Sequence, residues 1–315
     1  MGNCILSGNF TNLGQRIFHA RNNIHVSDKH VSKLIPLEQK NCMIASTLLH
    51  LGPSILFILF IQLSHFSVFS VAVFFFLVSF GNLALILWLE NKFPSISLER
   101  LSMREIVEGM ILVFATGIGL GTLVLISGYS MLSYLLHTPW HYSGCLAIGS
   151  ALLLTDFMYY WIHRLFNHGK GKSVIIRWYR KIHARHHSLT AVDFFRGNTS
   201  TVFDTAVTGF QVPLMIISAV FGMNLESVLT TYALVLLLQS THHANYTFNI
   251  GYLRYFFVDS HGHKLHHCPR GYAVNFAAIF SMWDILFSTY YEDWSSSSSY
   301  MAKHSIPLPI RRVYN

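Results

Sequence analysis

The chain has 315 residues, 52% of them hydrophobic and only 11% charged, against about 25% charged in soluble domains. Its mean hydropathy of +0.41 excludes an ordinary soluble globule and indicates a membrane protein. The formal net charge of +8 would suit nucleic acid if it were clustered, so its placement along the chain decides what it means. Residues 1–42 read as a polar cytosolic leader, in which the first apolar run starts too late for a cleavable signal. The opening "MGNCILS" misses the myristoylation pattern, because position six is Leu6 and the serine is Ser7. Apolar runs of spanning length, about 20 residues, follow at 43–62, 67–89, 108–127 and 144–162. Two further runs, 203–221 and 225–241, lie close together and form either a full hairpin or a re-entrant pair. The stretch "NFAAIFSMWDILFSTYY" (275–291) reads as an amphipathic interfacial or core helix interrupted by Asp284. The serine tract 295–299 reads as a mobile surface loop.

All 22 Lys and Arg fall in four blocks, 16–40, 92–104, 164–196 and 254–312. The segments 63–66, 128–143 and 222–224 contain none. Cytoplasmic loops carry the excess of Lys and Arg. One topology satisfies every block: both termini in the cytosol, two helical hairpins, a basic cytosolic segment and a third apolar hairpin. The charge is then a topology signal with some attraction to anionic lipid, and no nucleic-acid partner is expected. The four cysteines, Cys4, Cys42, Cys145 and Cys268, include no CxxC and give no disulfide or zinc-ribbon framework.

The chain holds 19 histidines. "WIHRLFNH" carries His163 and His168, and "KIHARHHS" carries His183, His186 and His187. "STHHAN" carries His242 and His243, and "HGHKLHH" carries His261, His263, His266 and His267. Under the expected topology all four clusters reach one membrane face. HxxHH places its rings at i, i+3 and i+4, one face of a helix. His163 and His168 are five apart and cannot share a face of a regular helix. Either the helix ends between them, as Gly169-Lys170-Gly171 suggests, or they bind from different sides. Imidazole suits zinc, copper, iron and nickel. Nine or more histidines are too many for one zinc with its usual four ligands, and two ions fit the count better. His19, His25, His30, His50, His65, His137, His141 and His304 read as ordinary core or surface residues. Ligand histidines usually donate their second N–H to a carboxylate or carbonyl. Asp156, an intramembrane carboxylate, and Asp259 are the expected partners. Asp193 and Asp284 are as well explained as solvated or capping residues.

These motifs in this order, closed by Trp283 to Tyr291, resemble the fatty acid hydroxylase / sterol desaturase superfamily over about 145–292. The resemblance implies an all-α, multi-pass membrane bundle of about four spanning helices plus an apolar hairpin, with a cytosol-facing helical cap carrying a His-rich di-metal site. Residues 43–142 would be N-terminal transmembrane helices, 143–292 the catalytic domain and 293–315 a tail. The implied cofactor is two iron ions, for which zinc can substitute in purified material. The implied reaction is O2-dependent hydroxylation or desaturation of a fatty acyl chain or sterol, with hydroxylation preferred. Electrons would come from a separate cytochrome b5-like or ferredoxin-like donor. The host membrane would be endoplasmic reticulum or bacterial inner membrane.

The implied ligands are His163, His168, His183, His186, His187, His243, His263, His266 and His267. His243 is preferred to His242, which stays a candidate, because the family's histidine stands two before the asparagine, here Asn245. Asn245, Asp156, Asp259 and His261 complete the candidate site, His261 as an orienting or proton-handling residue. The chain departs from the family after "KIHARHHS": "DFFRGNTSTVFDTAV" lacks the usual histidine, and Asp204 is the acid nearest the usual glutamate. Phe194, Phe195, Phe276, Phe280 and Trp283 are candidates to line a lipid tunnel, with simple packing the stronger expectation. A metal transporter or storage protein is the rival reading; it would spread its ligands along the spanning helices. A zinc hydrolase would want HExxH, but His183 and His263 are followed by Ala184 and Lys264.

Overall fold

The protein, as a computed structural model, is described at residues 36–63, 68–95, 98, 101–138, 142–187, 193–198, 209–246, 250–267 and 274–291. The leader up to residue 35, Asp204 and the serine tract lie outside these residues. Among the described residues every regular element is helical, and the only bridges are isolated pairs, Pro94 with Tyr246 and Tyr142 with Met223. The elements are α1 Pro36–Leu63, α2 Val68–Lys92, α3 Met103–Leu136 and α4 Gly144–Asn167. They continue with α5 Val174–His186, the single turn α6 Phe194–Gly197, α7 Gln211–Val220 and α8 Leu225–Gln239. The last two are α9 Ser260–His267 and the short α10 Met282–Leu286.

Among the described residues three helices are long and apolar enough to cross a membrane: Ala72–Lys92, Met103–Leu136 and Gly144–Asn167. The expected first span is helical, but its described apolar part, Ser46–Ile61, is shorter. α3 outruns its apolar pattern at both ends. A capping box starts it early: the Ser102 hydroxyl accepts from the Glu105 N–H, and the Glu105 carboxylate accepts from the Ser102 N–H. His137, left-handed at φ 45°, ends it. Its 34 residues rise about 50 Å, longer than the roughly 30 Å hydrocarbon core is thick. Residues Val113–Leu120 within α3 form a π-helical stretch.

α8 is the central post. Its Ala233, Leu234 and Leu237 pack on Phe57 of α1 and Phe75 of α2. Its Val228 and Tyr232 pack with Leu125 of α3, Ala147 and Ala151 of α4, and Leu214 of α7. α7 has 10 residues and α8 has 15, about 15 and 22 Å of rise. Each is shorter than a crossing over its described residues. Asn224 caps α8 by accepting from the Ser227 N–H at 3.0 Å. Small residues let the helices close up: a Cβ on Gly128 would collide with Met215 Sδ.

The expected helix over 275–291 is not formed. Only Met282–Leu286 is helical. The backbone N–H groups of Phe276 and Ala277 go to the Asp284 carboxylate at 2.7 and 2.8 Å. Those of Ile279 and Phe280 go to Asp156 at 3.0 and 2.8 Å. Buried carboxylates thus take the donors that a helix would have given to its own carbonyls. Asn275 and Ser288 sit at φ 53° and 55°, a left-handed region that breaks a helix at both ends.

Candidate metal centre

Nine histidines converge. His163, His168, His183, His187 and His266 form one group, and His186, His243, His263 and His267 form a second. In each group one nitrogen per ring lies within 4.8 Å of all the others. The two groups abut, with the His187 and His267 rings stacked at 4.4 Å. α5 and α9 each feed both groups, because i, i+3 and i+4 share one helix face. His163 and His168 meet by a route the sequence pattern did not suggest. α4 widens into a π turn over His163–Asn167. The His168 N–H donates to the His163 carbonyl at 3.0 Å, the i→i+5 bond of a π turn. The wider turn brings residues five apart together, and the two rings lie 4.9 Å apart.

The nitrogen geometry argues for metal over a hydrogen-bond network. His183 Nε2 stands 3.0 Å from His163 Nε2 and 3.0 Å from His187 Nε2. In the second group Nε2 of His243 faces His186 at 3.2 Å and His263 at 3.0 Å, and His263 also faces His267 at 3.2 Å. A ring nitrogen has one in-plane site, holding either a proton or a lone pair. It cannot satisfy two nitrogens at once. Metal–nitrogen bonds of about 2.0–2.1 Å put nitrogens at right angles about 3 Å apart, which matches these separations. The all-imidazole donor set suits iron, copper, nickel or zinc.

Two outer nitrogens of the first group meet backbone carbonyls. His163 Nδ1 meets the Phe276 carbonyl at 2.6 Å, and His266 Nδ1 meets the Val274 carbonyl at 2.7 Å. A carbonyl accepts, so both rings carry the proton on Nδ1 and turn a lone pair inward at Nε2. His263 and His267 have buried Nδ1 atoms with no hydrogen-bond partner among the described residues. Burial holds His168, His187, His243, His263 and His267 well below the usual imidazole range, and pushes His266 down to about 3. Neutral rings are the form that binds metal.

The expected carboxylate partners act one step further out. Asp156 holds the backbone of residues 279–280 and touches no ring. Asp259 caps the start of α9 by accepting from the Gly262 N–H at 2.9 Å. Asp284 shares the work of Asp156 on the same loop, and Asp193 caps α6 by accepting from the Arg196 N–H at 2.8 Å. The loop's carbonyls, not the carboxylates, orient the rings. Asn245 is a tie to the end of α2: its Oδ1 accepts from the Ser95 hydroxyl at 2.6 Å. His242 lies outside both groups, stacked on His50 at 6.4 Å and 5.2 Å from the His263 ring. Burial pushes His242 down to about 3. His50 meets the Thr241 hydroxyl at 2.6 Å, as a core histidine does. His261 also lies outside both groups, two residues and so about 200° from the His263 face.

Three contributors carried no motif. Glu90, at the end of α2, uses one carboxylate oxygen to accept from the Phe194 N–H at 2.8 Å and the Asn245 N–H at 2.7 Å. It thereby ties the segments that follow His187 and His243. Lys264 donates to the Ser95 hydroxyl at 2.8 Å, and burial pushes its amine down to about 8. Gly197 leaves room for His243: a Cβ there would collide with the His243 Cβ and Cγ. Glu90, an acid directly after the apolar run 67–89, was open to reasoning like that which picked out Asp156 inside the run 144–162. Gly197 carries no such signal.

A cavity of about 190 Å³ opens on the site. It touches His183 and His186 of α5, and His243 and His263. It runs between the π-helical part of α3, Tyr159 of α4, and the α7–α8 pair. None of Phe194, Phe195, Phe276, Phe280 and Trp283 lines it. Phe194 and Phe195 pack in the core with Leu83 and Ile86 of α2, and Phe276 packs with Tyr160.

The fatty acid hydroxylase family profile matches residues 148–289. A Dictyostelium discoideum protein with the provisional name methylsterol monooxygenase is 28% identical over 144 residues, 45% of this chain and 49% of that protein. The chain thus matches about half the length of that relative. No solved structure matches. The matched segment contains all nine clustered histidines and is similar to the fatty acid hydroxylase family.

Proposed function

We propose that the protein is a membrane-bound lipid oxygenase whose two histidine groups hold a pair of iron ions. The nine expected ligands divide between the ions as five, His163, His168, His183, His187 and His266, and four, His186, His243, His263 and His267. One observation carries the reading: two adjoining nitrogen clusters of metal-binding geometry open on one cavity with both apolar and polar walls. A transporter or store needs ligands along a path. Here the ligands gather in two adjoining groups, with no third group among the described residues.

Bound iron would supply the oxygen activation and hydrogen abstraction that no side chain can provide. The chain's own residues do the rest. The Val274 and Phe276 carbonyls fix two imidazoles with Nε2 inward. Burial keeps the rings neutral. The cavity would hold the reacting carbon against the histidines. In the hydroxylation we favour over desaturation, one oxygen atom of O2 enters a C–H bond and the other leaves as water. The reaction consumes two electrons and two protons. A separate cytochrome b5-like or ferredoxin-like donor would bring the electrons to the basic face, which we place in the cytosol together with both termini.

The test is oxidation of membrane lipid by the purified, iron-loaded protein with a reductant and isotopically labelled O2. Label in a lipid alcohol is expected. Metal uptake with no O2-dependent lipid product would favour the storage reading.

A further inference from the structure

The wall of the cavity away from the histidines contains a polar pair that the metal chemistry does not use. Gln211, at the start of α7, donates from Nε2 to the Tyr232 hydroxyl at 2.8 Å. Tyr232 donates to the Gly117 carbonyl at 2.6 Å. Because the phenol's proton is spent on Gly117, the amide atom facing it must be the donor, which fixes the orientation of Gln211. The Gln211 carbonyl oxygen is then left buried with no hydrogen-bond partner among the described residues, in a residue only 4% exposed. The pair is fitted closely against α3: a Cβ at Gly121 would collide with the Tyr232 hydroxyl and fall 2.6 Å from Gln211 Nε2. The neighbouring walls, Phe210, Val235 and Leu236, are apolar. Tyr232 precedes Gln239, another wall residue, by seven positions on α8, about 10 Å along the helix.

A buried acceptor without a donor costs free energy until something donates to it. What remains on offer is the Gln211 carbonyl, its second amide N–H and a phenol lone pair. A hydroxyl matches that set, since it donates and accepts at once. A carboxylate only accepts and would set its charge against the Gln211 oxygen. An ether or ester brings no proton.

We propose that Gln211 and Tyr232 recognise the hydroxyl of an alcohol-bearing lipid, and that such a lipid, not a free fatty acid, is the substrate. This rests on the oxygenase reading for the word substrate, but the binding site stands on its own. The hydroxyl can come from a sterol or from a linear alcohol.

The test is equilibrium binding to the full-length, iron-loaded protein. Two probe sets separate the sources: cetyl alcohol with its methyl ether and palmitate, and cholesterol with its methyl ether. In at least one set the alcohol should bind about tenfold more tightly than its ether, the effect of one hydrogen bond, and palmitate should bind more weakly than cetyl alcohol. Preference in one set names the source. Gln211→Met should abolish the preference while leaving iron content and helical signal unchanged. Equal binding of alcohol and ether in both sets by the unsubstituted protein overturns the inference whether or not the variant folds, as does a preference that survives Gln211→Met. Lipid oxidation without alcohol preference would overturn this inference and leave the oxygenase reading standing. Alcohol preference in a protein that takes up no metal would do the reverse.

Discussion

The two histidine groups are built from the same helices yet are braced differently. The first group leans on the loop 274–280, whose carbonyls at Val274 and Phe276 hold His266 and His163. That loop is pinned in turn by the buried carboxylates Asp156 and Asp284. In the second group the buried Nδ1 atoms of His263 and His267 have no such acceptors among the described residues, while in the first group the carbonyl bracing is at His163 and His266. Its bracing comes from Gly197 beneath His243 and from Glu90 and Ser95 at the end of α2. The first group is thus supported within the segment that matches the family, and the second draws on a helix outside it. Identical ligand chemistry leaves room for different supports, and the supports decide how each ion site fails.

Removing a ligand breaks the comparison most sharply. His267→Ala should empty the second group first, and His266→Ala the first. Both should lower lipid oxidation by more than about 100-fold, the upper range for losing an outer partner alone. Metal content by mass spectrometry and product by lipid extraction check both.

Gly197→Ala is next. The added methyl must displace His243, at an overpacking cost of about 1–3 kcal/mol. One metal site should be lost and the other kept, with a lower melting temperature. Full occupancy of both would show that the second group does not depend on this contact.

Glu90→Ala and Asp156→Ala form a matched pair. Each removes a carboxylate that holds two backbone N–H groups, and weakening of metal by about 10–100-fold is expected. Glu90→Ala, which frees the segments after His187 and His243, should weaken both sites, and Asp156→Ala chiefly the first. Glu90→Gln keeps an acceptor oxygen and should restore most of the loss. Titration with a chelator reads all three variants.

The smallest effect is that of pH. Burial lowers the folded pKa of ligand imidazoles, to about 3 for His266, below an unfolded value of about 6.5. The unfolded chain therefore binds more protons between these values, and stability falls as pH falls below about 6.5. Metal-free protein should lose melting temperature across that window. In loaded protein the neutral rings should retain metal through about pH 6.5 and release it only well below. A flat melting temperature in the metal-free protein from neutral to acid would contradict this.

Much of the arrangement was legible in the sequence. The two HxxHH motifs, the helical class, the apolar runs and the nine clustering histidines followed from spacing, hydropathy and family resemblance. The pairing of His163 with His168 did not, because a π turn leaves no mark in a pattern read at about 3.6 residues per turn. The 275–291 segment looked helical because its apolar residues recur suitably. Its backbone donors are instead taken by Asp284 and, from far away in the chain, by Asp156. Long-range partners of that kind are invisible to local periodicity. The same limit hid Glu90, whose two acceptor bonds reach over 100 residues ahead, and the cavity wall at Gln211 and Tyr232.

The central claim is that the two histidine groups are two metal sites. The most direct measurement is iron per chain in the purified protein and in the double variant His186→Ala, His266→Ala, which removes one ligand from each group. About two irons per chain are expected in the first, one for each of the two groups, and little or none in the second. Stoichiometric iron surviving in the double variant would contradict the assignment.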